Sequence, residues 1–333
     1  MTIDDALAAI PRLSALVVGD VCLDRWCRYD PAFAEPSRET GIPRIAVTAV
    51  EISPGAAGTV ASNLAALGTG RIAVIGVAGD DGHGQELRRA LEDRGIEHAA
   101  LVTAPDCLTF TYTKLINSVT GIEDLPRVDY IRDRDLPPEV QSSLIDRFRE
   151  LAPVFDVIIV SDQAEIDVGG AVTAALREAI CEFAGENSGK LVWVDSRARG
   201  ERFHHVLLKL NMDEAEAACR RIGAPGNCEA LWRHIGGPAL IVTRGPQGAV
   251  IYDQRGVTAE PARRIENPVD ICGAGDSFNA AAALMLALTR DISAAVRFGN
   301  LAASVSIMKS GTGTATPAEI LAAAGNVKSP LVL

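Results

Sequence analysis

The chain lacks any apolar run long enough to cross a bilayer, because none approaches the roughly 18 residues that such a span requires. Basic residues are also in deficit: 32 Lys and Arg stand against 43 Asp and Glu, for a net charge of −11. Binding to nucleic acid or to an anionic membrane rests on a basic field, so we expect neither as a partner. A small anionic ligand is not excluded, since local backbone dipoles bind phosphate on acidic proteins too.

A cysteine pattern for disulfides or zinc is also missing. The seven cysteines are odd in number, form no C-x-x-C pair and lie partly in apolar runs, so we expect buried or free thiols. The N-terminal segment MTIDDALAAIPRL has no basic start followed by a long apolar stretch, which argues against a secretory signal. On these grounds we predict a cytoplasmic protein.

What is present is the composition of an ordinary globular chain. Hydrophobic residues make up 48% and charged residues 23%, which excludes disorder and coiled coil. The 333 residues suit one large α/β domain, or a domain with an appendage. Continuous apolar runs alternate with helical patterns, and this order predicts a mostly parallel sheet with helices on both faces. The predicted strands span 15–21, 71–77, 156–160, 191–195 and 239–243, with a hairpin at 248–252 and 256–260; the predicted helices span 57–67, 84–94, 138–151, 168–183, 213–221, 274–288, 292–309 and 317–324.

Two stretches, at about 24–52 and 108–132, break this alternation. They contain half-polar runs such as 44–51 and 109–116, in which apolar and polar residues alternate. A period of two leaves one face wet or turned to a ligand, so these runs do not belong in a doubly covered sheet. We interpret them as a small sheet that stands off the main domain as a lid; two surface hairpins with no gating role are the alternative.

A glycine-rich turn, DICGAGDSF at 270–278, is the strongest local signal. Gly273 and Gly275 flank Ala274, so the backbone can turn tightly and leave amide groups unpaired where the helix begins. Such a turn binds anions. Asp276 lies in the first helical turn, where the dipole favours its ionised form and where it could accept a proton from an attacking hydroxyl. The alternative is an N-capped helix with Asp276 as a dipole partner only.

The run D-x-x-G-A-G-D near the C-terminal end resembles a signature of the ribokinase-like (PfkB) sugar kinases. A second signature has its counterpart in GAAGTVASNLAALG at 55–68, and VVGDVCLDRW at 17–26 is similar to the start of the heptose-7-phosphate kinases in that family. The motif order matches from about residue 12 to residue 325. The resemblance implies one kinase domain over 1–333, folded as a three-layer α/β/α sandwich with a mostly parallel sheet and a small β-sheet lid. The implied reaction is ATP-dependent phosphorylation of a sugar or sugar phosphate, with heptose 7-phosphate as a candidate.

The resemblance also implies roles at the reacting groups. Asp276 corresponds to the general base, and Gly273, Ala274 and Gly275 correspond to the anion hole. Asn211 and Glu214, in LNMDEAEA, match the N-x-x-E motif that organises Mg²⁺ near the ATP phosphates. A helix capping box is the competing interpretation of the latter pair, and both can hold together.

For the nucleotide, the resemblance implies two loops and one late helix. TRGPQG matches the T-x-G-x-x-G loop, although a hairpin turn explains it without the family. FGNLAASVS carries an adenine-side position, for which a polar packing group is the alternative, and GTGTAT resembles the terminal glycine loop. The implied nucleotide-side residues are Thr243, Gly245, Gly248, Asn300 and Gly313.

For the acceptor, Asp24 matches the aspartate that accepts a substrate hydroxyl, and a phosphate on the substrate would meet Arg38 or Arg44 of the lid segment. Solvated surface charge is the alternative for both arginines. The other implied sugar-side residues are Gly55, Ala56, Thr59 and Asn63.

The sequence departs from the family pattern at three places. Thr59 stands where an asparagine is usual, Ile271 and Cys272 replace small hydroxyl residues, and Arg197 replaces the lysine of the heptose kinases. The departures put the identity of the sugar in doubt, and no monovalent-cation site is predicted. Other acceptors, such as a nucleoside or an aminosugar, and a non-catalytic nucleotide or sugar sensor are the competing functions. The half-apolar lid strands predict a homodimer through the lid.

Overall fold

The computed structural model describes residues 2–164 and 168–325 of the chain. In these residues the strands are β1 (Ser14–Gly19), β2 (Val21–Tyr29), β3 (Val47–Ala56), β4 (Arg71–Gly79), β5 (Leu101–Ala104), β6 (Thr111–Asn117), β7 (Val128–Tyr130), β8 (Val157–Asp162), β9 (Leu191–Ser196), β10 (Leu207–Asn211), β11 (Ala239–Thr243), β12 (Ala249–Asp253) and β13 (Gly256–Glu260). The α-helices are α1 (Ile3–Ala9), α2 (Ala57–Ala66), α3 (Gly82–Glu92), α4 (Pro138–Leu151), α5 (Ala174–Glu186), α6 (Met212–Arg221), α7 (Cys228–Ile235), α8 (Ala274–Thr289), α9 (Ile292–Ser306) and α10 (Pro317–Gly325).

Nine of these strands form the main sheet, in the order β13-β12-β11-β10-β9-β8-β1-β4-β5. β1 pairs in parallel with β4 on one side and β8 on the other, so that Val17 lies beside both Val74 and Ile159. In this sheet β5, β4, β1, β8, β9, β10 and β11 run parallel to one another. β12 and β13 add an antiparallel end. Because the strand order reverses between β1 and β8, their carboxyl ends flank a crevice of the kind that binds ligands in open α/β sheets.

The main sheet is buried on both faces, which explains its continuous apolar strands. Ala15 and Val17 of β1 enter one core, and Leu16 and Val18 enter the other. The first core is covered mainly by α2, α8 and α9, and the second by α4, α5, α6 and α7. The result is a three-layer α/β/α sandwich, as the sequence predicts.

The remaining four strands form a separate small sheet, in the order β3-β2-β6-β7. Its central strand β2 pairs antiparallel with β3 and parallel with β6, so that Asp24 lies between Ser53 and Tyr112. Side chains of β6 alternate between buried and half-buried, which is the period of two that distinguishes this stretch in the sequence. The predicted fold class, including a small sheet apart from the main one, is confirmed.

Some element boundaries differ from the predictions. Predicted strand 15–21 is two elements, because the chain leaves the main sheet after Gly19 and Val21 already belongs to the small sheet. The helix predicted to start at 168 begins at Ala174, since the side chain of Thr173 accepts a hydrogen bond from the backbone N–H of Leu176 and caps the helix there.

The apolar patterns do not predict four of the elements, namely α1, α7, β5 and β10. A capping box in which Thr2 and Asp5 bond reciprocally starts the short helix α1. In the described part of the chain, no helix is both long and apolar enough to cross a membrane.

Candidate active site

A cavity of about 460 Å³ opens between the carboxyl ends of the main sheet and the inner side of the small sheet. A volume of this size suits a small-molecule ligand. Its floor comes from the segments that follow β8 and β9 and from the turn before α8, and its walls come from β2, β6 and β7. The residues that line it include Cys22, Asp24, Arg25, Trp26, Ala56, Thr59, Phe110, Tyr112, Lys114, Arg127, Asp129, Arg132, Gln163, Ala164, Arg197, Cys272, Gly273, Asp276 and Thr312.

The turn that begins α8 has the form of an anion site. Gly273, at φ 76°, adopts the left-handed conformation that turns the chain into the helix, and no side chain within the described residues caps this end. Asp270 fixes the turn from below, because its carboxylate accepts the N–H of Cys272 at 2.9 Å and of Gly311 at 3.1 Å. The alternative of a helix capped by a side chain therefore does not describe α8. The Ala274 N–H donates to the Ile271 carbonyl at 3.2 Å, which leaves the amides of Gly273 and Gly275 for a ligand.

Asp276, in the first turn of α8, faces the cavity. Burial is the main cause that raises its pKa to about 7. The negative charges of Asp195 and Asp24 add to the rise, and the positive charges of Lys209 and Arg197 oppose it. The pKa of Asp276 is therefore not lowered, as the helix dipole alone would lower it, since desolvation and like charge outweigh the dipole. A base with a pKa near 7 is well matched to proton removal at neutral pH.

Lys209 lies behind the same helix end and is missed by the sequence analysis. It belongs to β10, its Nζ lies 3.3 Å from each carboxylate oxygen of Asp195, and a Cβ on Gly275 would stand 3.4 Å from that Nζ. Asn279 donates to Asp195 at 2.6 Å and accepts from the indole N–H of Trp193 at 3.1 Å. The site thus holds a buried ammonium group within reach of any anion at the helix end. A lysine inside the apolar run VLLKLN is the signal that could have revealed it.

Asn211 and Glu214 form a reciprocal capping box at the start of α6. The Asn211 side chain accepts the Glu214 N–H at 2.9 Å, and the Glu214 carboxylate accepts the Asn211 N–H at 2.7 Å. Burial and the charge of Asp195 raise the pKa of Glu214, which shows that the carboxylate lies among other negative groups. Each side chain keeps a further acceptor lone pair, so the oxygens fit a Mg²⁺ ion that retains most of its waters. No cluster of three or more His, Cys, Asp or Glu among the described residues would form a full metal cage.

The predicted nucleotide loops lie beside this box on the main sheet. Thr243, the last residue of β11, pairs with Asn211 in the sheet register and donates its hydroxyl to the Leu210 carbonyl at 3.3 Å. Gly245 and Gly248 both have positive φ in the turn between β11 and β12, so the hairpin-turn interpretation describes the local geometry. These placements bring the loop next to the capping box without testing its role.

The other two nucleotide-side candidates lie on the C-terminal segments. Asn300 is a half-buried residue of α9, and among the described residues its amide Nδ2 has no hydrogen-bond partner. Gly313 accepts the hydroxyl of Ser277 through its carbonyl at 3.4 Å, which joins the terminal glycine loop to α8. Their nucleotide roles stay predictions.

On the acceptor side, Asp24 enters the cavity from β2. Burial is the main cause that raises its pKa to about 6, while Lys114 and Arg127 oppose the rise. Gly55 lies directly behind it, because a Cβ there would come within 2.6 Å of both Asp24 carboxylate oxygens. Gly55 therefore permits the position of Asp24 and does not itself line the cavity.

Ala56 and Thr59 line the cavity, as the sequence predicts, but the Thr59 hydroxyl already donates to the Pro54 carbonyl at 3.3 Å. Two other predicted acceptor residues, Asn63 and Arg38, do not line the cavity, and their roles stay predictions. Asn63 is 2% exposed and bonds the Ser277 hydroxyl at 2.7 Å, so it ties α2 to α8. Arg38 is exposed and does not line the cavity.

Arg44, the second lid arginine, pairs with Glu35 at 3.2 Å on the surface. The basic groups that do line the cavity from the small sheet and the segment after it are Arg25, Lys114, Arg127 and Arg132. The motifs assign no role to them: Arg25 lies within the run at 17–26 without an implied role, and Lys114, Arg127 and Arg132 lie in the half-polar stretch 108–132. The alternating run TYTK at the start of β6 is the available signal, because one face of such a strand is turned to solvent or ligand.

Comparison with known proteins gives one family and two kinds of relative. Residues 14–319 match the model of the pfkB family carbohydrate kinases. The chain is 30% identical over 321 residues to "Bifunctional protein HldE" of Geotalea uraniireducens, covering 94% of this chain and 63% of that protein. It is 33% identical over 341 residues to the protein of the same name from Caulobacter vibrioides, covering 98% and 67%. The chain therefore spans about two thirds of the length of these relatives.

Solved structures share the fold at lower identity. A ribokinase from Thermotoga maritima superposes with a TM-score of 0.71 at 23% identity, over 94% of this chain and 100% of that one. Phosphofructokinase-2 from Escherichia coli, solved in complex with potassium, gives a TM-score of 0.71 at 20% identity, over 93% and 97%.

Proposed function

The chain belongs to the pfkB family of carbohydrate kinases, and on that premise we propose that it transfers the γ-phosphoryl group of ATP to a hydroxyl of a sugar or sugar phosphate. The observation that carries the proposal is Asp276, a carboxyl group with a pKa of about 7 that faces the cavity from a helix end without a side-chain cap. A proton acceptor and an anion site on the same helical turn are the two groups that phosphorylation of an alcohol requires.

In this mechanism Asp24 accepts a hydrogen bond from the acceptor and orients it, and Asp276 removes the proton of the attacking hydroxyl. The amides of Gly273 and Gly275 stabilise negative charge on the transferring phosphoryl group, while the Ala274 N–H holds the turn through the Ile271 carbonyl. The Lys209 ammonium adds a fixed positive charge behind those amides. The small sheet covers the bound acceptor as a lid and keeps water from competing for the phosphoryl group.

We propose that ATP binds on the side of this helix end that lies away from the acceptor. Thr243, Gly245, Gly248, Asn300 and Gly313 would line the ATP site, and Asn211 and Glu214 would hold Mg²⁺ through its waters. When bound, Mg²⁺ would neutralise charge on the ATP phosphates. The placement of Thr243 beside Asn211 in the sheet supports this grouping.

Heptose 7-phosphate is the acceptor we propose first. The segment 17–26 resembles the start of the heptose-7-phosphate kinases, and the basic cavity walls favour an acceptor that carries a phosphate. A nucleoside or aminosugar acceptor would make no use of those cations. A pure sensor would need neither a carboxylate with a pKa near 7 nor the open helix end.

An ADP-release screen over heptose 7-phosphate, other sugar phosphates, free sugars, nucleosides and aminosugars tests the proposal. We expect turnover with at least one phosphorylated sugar, and Asp276→Asn to lower kcat by about 10²–10⁴-fold while ATP affinity stays within a few-fold. Glu39→Gln, on the exposed lid surface, is the matched control and should keep wild-type turnover. ATP binding without ADP release for every acceptor would support the sensor, and near wild-type kcat in Asp276→Asn would remove the base assignment.

A further inference from the structure

Arg132 is a buried cation without hydrogen-bond partners. It is 4% exposed, and within the described residues its Nε, Nη1 and Nη2 atoms make no hydrogen bond. Its guanidinium carbon lies 3.8 Å from the centroid of the Phe110 ring, on which it stacks. A buried charge with unmet donors costs stability, and a cation–π contact of this kind offsets only part of that cost. We expect a buried cation of this kind where a bound ligand supplies the missing hydrogen-bond acceptors.

The neighbours of Arg132 do not complete it. Asp20 is the main negative charge that acts on it, but both carboxylate oxygens of Asp20 accept backbone N–H groups. Those donors belong to Gln163, Ala164 and Ala171, at 2.7–2.9 Å. Asp20 therefore serves the chain turn after β8, and Arg132, which lines the cavity, keeps donors that no hydrogen bond within the described residues satisfies.

The cavity wall near Arg132 is basic as well. Lys114 lines it from β6, and its partner Glu123 is 3.8 Å away and half-exposed. Arg127 also lines it, with its charge shared between Asp129 at 2.7 Å and the face of the Tyr112 ring. Arg25, Lys114, Arg127 and Arg132 line this side of the cavity beside the acidic Asp24 and Asp129, although the whole chain carries −11.

We propose that Arg132 binds an oxyanion on the acceptor, a group other than the hydroxyl that is phosphorylated. This inference rests on the proposed function and adds to it the acceptor class and the residue that selects it. A guanidinium fork matches the oxygens of a phosphate ester or a carboxylate through two parallel hydrogen bonds, whereas a neutral hydroxyl would leave its charge uncompensated. The acceptor is therefore a sugar phosphate or a sugar acid, and Arg132 is a specificity-determining residue.

The test uses two variants and one control. Arg132→Met removes the charge but keeps the packing on Phe110, and Arg132→Lys keeps the charge without the fork. Arg134→Gln is the matched control, since it removes a charge two residues along the same segment from a side chain that is 82% exposed. The acceptors are heptose 7-phosphate and fructose 6-phosphate, the same two sugars without phosphate, and gluconate. Binding by calorimetry and ADP release are both measured for every protein.

We expect Arg132→Met to lower kcat/KM and affinity for the oxyanion-bearing acceptors by about 100-fold or more, and to change those for the neutral sugars by less than a few-fold. Arg132→Lys should recover part of the loss. Thermal unfolding is the control for folding, and Arg132→Met should stay close to wild type, because it keeps the packing on Phe110 and removes a guanidinium without hydrogen bonds. Preference for the phosphorylated sugars identifies a phosphate ester as the oxyanion, and preference for gluconate identifies a carboxylate.

Two results would overturn the inference. One is a wild-type protein that prefers neutral sugars, and the other is an Arg132→Met variant that loses neutral and anionic acceptors equally, which a structural role would produce. Arg132-dependent binding of an oxyanion without any ADP release would instead reject the proposed kinase function while retaining the subsite.

Discussion

Asp276 works in surroundings that decide the pH at which the site is active. Its pKa of about 7 means that the carboxylate is protonated, and unable to accept a proton, in acidic solution. We therefore expect kcat/KM for the acceptor to rise with pH and to level off above about 7. A pH–rate profile checks this, with circular dichroism at each pH as the control for folding. An acidic limb near 4, the ordinary range of an aspartate, would contradict it.

Asp24 contributes to that pKa from across the cavity. Its negative charge raises the pKa of Asp276, so Asp24→Asn should move the acidic limb of the profile to lower pH. The same variant should raise KM for the acceptor, because an amide replaces a strong acceptor of hydroxyl hydrogen bonds. Glu39→Gln removes an exposed charge from the same lid and should leave both quantities unchanged. An unchanged limb in Asp24→Asn would mean that the two carboxylates do not interact.

At the residue scale the sequence reveals chemical types better than their partners. The motif D-x-x-G-A-G-D identifies Asp276 and its glycines, and the structure brings them to the cavity. Lys209 and Arg132 are not assigned a role from the sequence, because neither belongs to a motif and only the fold shows that each is buried. The raised pKa of Asp276 escapes for the same reason, since Asp195 and Asp24 approach it from distant parts of the chain.

Helix α2 shows what the family signature does at the scale of an element. Asn63 donates to the Thr59 carbonyl at 2.9 Å and accepts from Ser277 at 2.7 Å, which joins α2 to α8 behind the glycine-rich turn at 270–278. Asn63→Ala should therefore lower the free energy of unfolding by about 1–3 kcal/mol, because it leaves the buried Ser277 hydroxyl with only the longer bond, 3.4 Å, to the Gly313 carbonyl. Acceptor KM should stay within a few-fold.

Ser277→Ala is the matched variant for this pair. In urea denaturation the Asn63→Ala and Ser277→Ala losses should be non-additive, since both remove the same hydrogen bond. A large rise in acceptor KM with unchanged stability would instead return Asn63 to the sugar pocket.

Elements are predictable where one pattern dominates and less so where contacts decide. Helix α4 begins and ends where its apolar period predicts, and the strands buried on both faces are recognised by continuous apolar runs. The packing of Asn63 against α8 could not be predicted, because a motif gives the residue type and not the face of the helix on which it lies. The split of β1 from β2 depends on Asp20, whose backbone N–H bonds the Ser161 carbonyl across the sheet.

At the scale of the whole molecule, charge and hydrophobicity are unevenly distributed. The chain is acidic, yet Arg25, Lys114, Arg127 and Arg132 line the cavity on its small-sheet side, so we expect an anionic ligand to meet these local charges and not the global one. The small sheet has a buried cluster of its own that contains only Cys27, Tyr29 and Leu115 among the described residues. A sheet with so little core leaves much of its apolar surface uncovered.

A second copy of the chain would cover that surface. Ile45 just before β3, Val47 and Val50 on β3, and Val128 and Tyr130 of β7 are 37–48% exposed at the two edges of the small sheet. We predict a homodimer through these strands, since exposed apolar edges pair in solution unless something covers them. Light scattering at micromolar concentration should therefore give twice the 35.1 kDa chain mass. Val50→Asp should yield monomers, whereas Val257→Asp, which places the same charge at a 58% exposed valine on the edge strand of the main sheet, should leave the dimer intact. A wild-type monomer, or equal loss of the dimer in both variants, would contradict the prediction.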